Sequence, residues 1–193
     1  RRTGPRPSPG TLVIAARAQR NLHRVAGTLM LLAAFLTTGG HEVLRVPRGR
    51  IDHESLEGLD AVVHLAGENI AAGRWTDARK QILTDSRVFT TRSLARALSL
   101  RSSKPATFIS ASGIGYYGPS DDRLLDEGAA RGTGFLADLC LAWEAEAMKA
   151  AEFGTRVVIL RTGMVLEADG GALPKMLWPF KLFAGGPIMP GTQ

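Results

Sequence analysis

Short apolar runs closed by glycine or a polar turn alternate along this chain with much longer stretches of helical periodicity, and that alternation limits the fold more than any other feature. Past residue 25 a helix near 25–37 leads to a strand near 42–46. Leu59 to Gly67 is a second apolar run, closed by glycine. Residues 75–100 form a long amphipathic stretch with Leu83, Thr90, Leu94 and Leu98 close to one face and arginines, Asp77 and Asp85 on others. A strand near 106–111 follows, then a helix near 134–153 that Gly154 is placed to end, then a strand at Arg156 to Arg161. Leu173 to Phe183 reads as helical in part and broken at Pro179. Short strands between long helices imply an α/β fold, a parallel sheet covered on both faces.

Ligands of such sheets bind outside the carboxyl ends of the strands. That rule selects Ala66-Gly67-Glu68-Asn69, Ser110 to Gly118, and Thr162-Gly163-Met164-Val165. The second of these opens the stretch SASGIGYYGPSDD, residues 110–122, where three serines, two tyrosines and two aspartates follow an apolar strand. Asp121, Asp122, Asp126 and Glu127 read as a solvated loop.

Composition removes several function classes. One cysteine, Cys140, excludes an intramolecular disulfide and a Cys-rich metal site. His23, His41, His53 and His64 show no ligand spacing, so no metal is expected. Net charge is +6, yet no acid precedes Glu42, where proportion would place about four of the 18. Arg1, Arg2, Arg6, Arg17, Arg20 and Arg24 crowd that segment, which reads as an arginine-rich disordered lead over residues 1–24 rather than a specific nucleic-acid binder. The apolar run Val25 to Leu36 is too short to span a bilayer and is followed by a glycine stop and a strand. A cytoplasmic protein without membrane attachment is the expectation, and a homodimer is compatible with it.

Five motifs carry a resemblance: VVHLAGENIA, SRVFTTRSLARAL, FISASGIGYYG, FLADLCLAWEAEA and VVILRTGMVLEADGGALPKMLWPFKL. From about Leu32 onward the chain resembles an atypical branch of the extended short-chain dehydrogenase/reductase superfamily. Members of that branch are described as NAD-dependent epimerase/dehydratase-like proteins, sometimes as sugar-nucleotide epimerases or cell-division inhibitors. The resemblance implies a Rossmann-type doubly wound parallel sheet over residues 25–168, binding NADP or NAD, and the start of a substrate-binding region over 169–193. It places Gly27, Ala66, Gly67, Ser110, Arg161, Thr162 and Gly163 against the cofactor. Arg45 or Arg48 would meet a ribose 2'-phosphate. Asn69 and Lys175 would reach substrate, the alternatives being a cap on the following segment for Asn69 and a surface role for Lys175.

Two departures qualify it. Where the superfamily has a strand, a G-x-x-G-x-x-G turn and a helix, this chain has Val25-Ala26-Gly27-Thr28-Leu29-Met30-Leu31, with Gly27 alone remaining. Thr11 to Ala15 is strand-like but is followed by Arg17-Ala18-Gln19-Arg20 instead of a glycine turn. Cofactor binding is therefore expected to be impaired, with the sheet open where its first strand belongs. Relatives also continue beyond GGPIMPGTQ, so the fold is expected to be incomplete at both ends.

Superfamily members that transfer hydride use a serine at a strand end with tyrosine and lysine at i and i+4 on one helical face. No Y-x-x-x-K occurs in this chain; aligned through Glu144, the two positions hold Leu136 and Cys140. Ser112 fits the strand-end serine and Tyr117 the tyrosine that follows it, so these two are the catalytic candidates; the alternatives are a hydroxyl satisfying backbone groups in a tight turn for Ser112 and a ring shaping the nicotinamide pocket for Tyr117. Cys140, among Leu136, Leu139, Leu141 and Trp143, reads as a buried inert thiol. Trp75, Trp143 and Trp178 are expected to serve packing. The functional reading is an NAD(P)-binding epimerase/dehydratase-like protein acting on an unidentified small molecule; the alternative is a non-catalytic nucleotide-binding regulatory or scaffold protein.

Overall fold

The computed structural model describes residues 11–15, 26–46, 56–120, 122–164, 166–167, 170–171 and 173–186. Five parallel strands, β1 (Thr11–Ala15), β2 (Glu42–Val46), β3 (Ala61–His64), β4 (Thr107–Gly113) and β5 (Arg156–Thr162), form one sheet in the order β2-β1-β3-β4-β5. Helix α1 (Ala26–Thr38) follows β1, α2 (Asp77–Ser99) follows β3, and α3 (Phe135–Met148) follows β4.

The front of the chain corrects the expectation of an open sheet. Thr11–Ala15 pairs with β2 on one side and with β3 on the other, Leu12 standing opposite both Val43 and Ala61. These five residues of the segment read as a lead are a central strand. The run Thr-Leu-Val-Ile-Ala is rich in β-formers, and a position bonded on both edges satisfies its backbone without any glycine turn after it. The rest of residues 1–24 lies outside the described residues.

Both faces of the sheet are covered, as a doubly wound sheet requires. On one, Val62 and Phe108 pack with Leu94 and Leu98 of α2 and with Ala147 and Ala150 beyond them. On the other, Val63 packs against Ala33 of α1, flanked by Leu32, Leu36, Val43 and Ile109. Consecutive valines thus serve opposite layers, as the two-residue period of a strand dictates. Truncating a fully buried member such as Leu94 costs about 2–5 kcal/mol.

Local chemistry sets the helix ends. The Thr76 hydroxyl accepts the Arg79 N–H at 3.2 Å and caps α2, with Asp77 in its first turn. The inward face of α2 carries Thr91, not Thr90. Helix α3 gives way to a 3-10 turn over Lys149–Phe153, and Gly154 ends it at φ 87°, a conformation that favours glycine. Beyond β5 a small hairpin, β6 (Leu166–Glu167) with β7 (Gly170–Gly171), supports α4 (Leu173–Lys181). The boundary expected at 168/169 falls between these two strands, on residues outside the described ones. Pro179 does not break α4, which runs two residues past it; a proline this close to the end forgoes one backbone bond, and the helix stops soon after. Of the tryptophans only Trp143 is in the core; Trp75 and Trp178 are 41% and 61% exposed. No helix among the described residues is long and apolar enough to cross a membrane.

Candidate functional site

From β1 the chain runs outward to β2, then crosses back over β1 to β3. The crevice between the carboxyl ends of β1 and β3 is therefore the topological switch point, where nucleotides sit in sheets of this kind. Ala15 and His64 are opposite each other there. Gly27 is the second residue of α1, whose first turn holds no acid. Arg45 is the penultimate residue of β2 and not beyond it; Arg48 lies outside the described residues.

Ala66 and Gly67 follow β3, and α2 holds the loop they begin. Ser86 Oγ accepts the Glu68 N–H at 3.0 Å, Arg87 Nη2 donates to the Glu68 carbonyl at 2.8 Å, and Arg79 lies 3.6 Å from the Glu68 carboxylate. The Asn69 side-chain oxygen accepts the Ala71 N–H at 2.9 Å, so a local turn accounts for its position.

A second group gathers at the ends of β4 and β5, where Ser112 is opposite Arg161 and Gly113 opposite Thr162. Ser112 Oγ donates to Glu144 Oε1 on α3 at 2.6 Å. Arg161 grips the same carboxylate with two bonds, Nε to Oε1 at 2.9 Å and Nη2 to Oε2 at 2.8 Å. Its Nη1 donates to the Tyr117 hydroxyl at 3.0 Å and to the Glu127 carbonyl at 3.2 Å, and the guanidinium lies 3.5 Å over the Tyr116 ring. Both catalytic candidates, Ser112 and Tyr117, are thus joined through one ion pair, whose hydrogen bond to Glu144 pushes the Arg161 pKa up. Ser110, fully buried in β4, contacts only the Ala111 carbonyl at 3.3 Å with its hydroxyl among the described residues.

The turn between β4 and α3 is shaped by its glycines. Ile114–Tyr117 is a single 3-10 turn closed by Gly118 at φ 66°. A Cβ on Gly115 would stand 3.1 Å from Leu136 of α3, and one on Gly132 only 2.1 Å from the Tyr117 carbonyl oxygen. Both close approaches need a bare backbone. An open cleft of about 730 Å³ lies against this turn, lined by Ile114, Tyr117, Arg161, Thr162 and Gly163 among others. Asp122, Asp126 and Glu127 are exposed beside it, as a solvated loop. Lys175 is in the first turn of α4.

Leu136 packs against the Gly115 turn, and Cys140 Sγ is 3.7 Å from the Gly113 carbonyl. The two places of the tyrosine and lysine are therefore beside the strand-end serine but hold an alkyl chain and a thiol. Burial pushes the Cys140 thiol pKa up, which suits an inert thiol. Glu144, Arg79, Ser86 and Arg87 were not singled out from the sequence. The i+4 step from Cys140 to Glu144 was the one available signal, since it puts both on one face of α3.

No family model matches the chain. An epimerase family protein of Mycobacterium bovis is 41% identical over 177 residues, covering 84% of this chain and 58% of that protein. The human epimerase family protein SDR39U1 is 39% identical over 174 residues, covering 84% of this chain and 59% of that protein. The solved structure of human SDR39U1 (isoform 2) with NADPH superposes with a TM-score of 0.76 at 35% identity, covering 94% of this chain and 63% of that one. A nucleoside-diphosphate sugar epimerase from Corynebacterium glutamicum superposes with a TM-score of 0.75 at 34% identity, covering 95% of this chain and 40% of that one. The chain spans less than two thirds of the length of the curated relatives it matches.

Proposed function

This chain belongs to the epimerase family of the extended short-chain dehydrogenase/reductase superfamily, and from that premise we propose that it binds NADP or NAD at the carboxyl edge of its sheet and acts on a small molecule held against Ser112 and Tyr117. Support comes from the relative whose structure carries NADPH and from the fit of the residues present. Helix α1 is the first helix after β1, a strand of the switch point, and has no acid in its first turn, which suits a pyrophosphate even without the full glycine turn. Ala66 and Gly67 border the same crevice. Bound there, the nicotinamide would donate or accept a hydride.

The observation that carries the reading is the chain Ser112–Glu144–Arg161–Tyr117 at the ends of β4 and β5. It fixes the polarity of both hydroxyls. The Ser112 proton is committed to Glu144, so Oγ meets a ligand as an acceptor. The Tyr117 oxygen accepts from Arg161, so its own proton is left to donate. Together they suit a substrate carrying hydroxyl or carbonyl oxygens, with a sugar nucleotide as the leading class by family.

A second reading, a nucleotide binder without turnover, draws on Leu136 and Cys140 standing where tyrosine and lysine would be. Deuterium transfer from labelled NADPH to a panel of sugar nucleotides and small carbonyl compounds separates the two. Label in product, abolished by Ser112→Ala, is the expected result; NADPH binding without transfer to any of the panel would favour the binder.

A further inference from the structure

Arg87 has no place in that account, yet it is the least conventionally paired charge near the strand ends. It reaches from the middle of α2, with Nη2 donating to the Glu68 carbonyl at 2.8 Å and Nη1 at 3.3 Å from both the Leu83 carbonyl and Ser86 Oγ. Its guanidinium carbon lies 5.3 Å over the Trp143 ring and 3.1 Å from the point a Cβ on Gly67 would occupy. Among the described residues no carboxylate pairs with it; its partners are carbonyls, a hydroxyl and a ring. Burial and the neighbouring Arg79 both work against its charge, whereas the electrostatic interaction with Cys140 favours it. The oxygens it meets are all neutral, and a half-buried cation with no counter-charge is unfavourable until an anionic group joins it.

Cys140 is the other member of the cluster. Its sulfur is 3.7 Å from the Gly113 carbonyl, at the end of β4. This is the α3 position at which hydride-transferring members of the superfamily carry lysine. A lysine here would face the Arg87 charge and be repelled; a small neutral thiol is not. We propose that Arg87, entering from α2 between Gly67 and Trp143, is the cation of this site, replacing from the neighbouring helix the charge absent at position 140, and that it holds acceptor oxygens of the bound nucleotide. The inference rests on the nucleotide-binding reading above. Arginine is a donor-only fork, so it suits oxygens of a ribose or phosphate. Gly67 is the residue that lets the guanidinium lie under the β3 loop.

Charge transposition tests it. NADPH is titrated calorimetrically into the chain, into Arg87→Gln and into R87Q/C140K, each first checked by thermal melting. R87Q is expected to weaken binding at least tenfold, and the added lysine to return it to within threefold of the parent. An unchanged affinity in R87Q, or no recovery in the double variant, overturns the assignment. The milder Arg87→Lys keeps the charge but not the fork, and a loss of at least threefold is expected; no loss overturns it equally. A readout without nucleotide separates this inference from the reading beneath it. Cys140 is the single cysteine, so thiolate ultraviolet absorbance against pH, which needs no reagent access, reports its own thiol, which faces Ser112, the Gly113 carbonyl, Glu144 and Arg87. R87Q should move that titration upward, because the arginine favours the thiolate while Glu144 opposes it. An unmoved thiol overturns the placement of the charge. A moved thiol in a chain that binds no NADPH would instead refute the nucleotide reading and, with it, the ligand assigned to Arg87.

Discussion

Replacing Glu144 by alanine removes one carboxylate that Ser112 and Arg161 both depend on. Ser112 loses its acceptor at 2.6 Å, and Arg161 loses two charge-assisted bonds at 2.8 and 2.9 Å. The arginine and glutamate side chains are 19% and 10% exposed, so most of the water that would compensate is absent. Breaking such a pair by removing one partner costs about 3–5 kcal/mol, chiefly the burden of the charge left behind. Arg161 keeps the Tyr117 hydroxyl, the Glu127 carbonyl and the Tyr116 ring, which puts the cost near the lower end, about 3 kcal/mol. In a chain of this size about 1 kcal/mol lowers Tm by roughly 2–4 °C, so E144A should melt roughly 6–12 °C below the parent. Circular dichroism melting with a urea midpoint checks it. The double variant E144A/R161A should recover part of the loss, because no charge is then left unpaired. A fall under about 2 °C, or a double variant that simply sums the two losses, would refute the view that this ion pair organises the site.

Two further outcomes follow from the geometry. Gly132→Ala would set a Cβ 2.1 Å from the Tyr117 carbonyl oxygen, a backbone atom that cannot swing aside. The expected cost is about 1–3 kcal/mol or more, read as a lowered Tm together with a changed environment of the two tyrosines in near-ultraviolet dichroism; an unperturbed spectrum and Tm would contradict it. His64 is fully buried at the end of β3, its Nε2 2.8 Å from Thr91 Oγ1, and loss of hydration pushes its pKa down to about 4. Above pH 6.5 neither folded nor unfolded chain protonates this residue. As pH falls from about 6.5 to 4 the unfolded chain takes up a proton that the folded one refuses, so stability drops by about 3 kcal/mol across that window. His64→Gln should flatten the slope there, and an unchanged slope would show that His64 is not its source.

Much of the fold was legible because periodicity and punctuation agree. The runs at 42–46, 59–67, 106–111 and 156–161 each became a strand or the approach to one, with amphipathic stretches between them as helices. Thr11–Ala15 is less legible because the glycine turn that would mark it locally is missing, whereas pairing with β2 and β3 on both edges is what holds it. Pro179 misled for the opposite reason: its cost depends on which turn it occupies, and that is not visible in a nine-residue helix. At the site, Ser112, Tyr117 and Arg161 were identified separately, by strand-end position and motif. That Glu144 joins them was not visible, since the contact spans 32 residues to Ser112 and 17 to Arg161. Arg87 was hidden more deeply, as one arginine among several placed off the apolar face of α2.

The central claim is that a nicotinamide dinucleotide occupies the switch point of this sheet. Titrating NADPH into the chain by calorimetry tests it most directly. One saturable site, competed by NADP and lost when Gly67 and Arg87 are both replaced, is the predicted result. No heat of binding up to millimolar NADPH or NADH, in a chain shown by dichroism to be folded, would contradict the account.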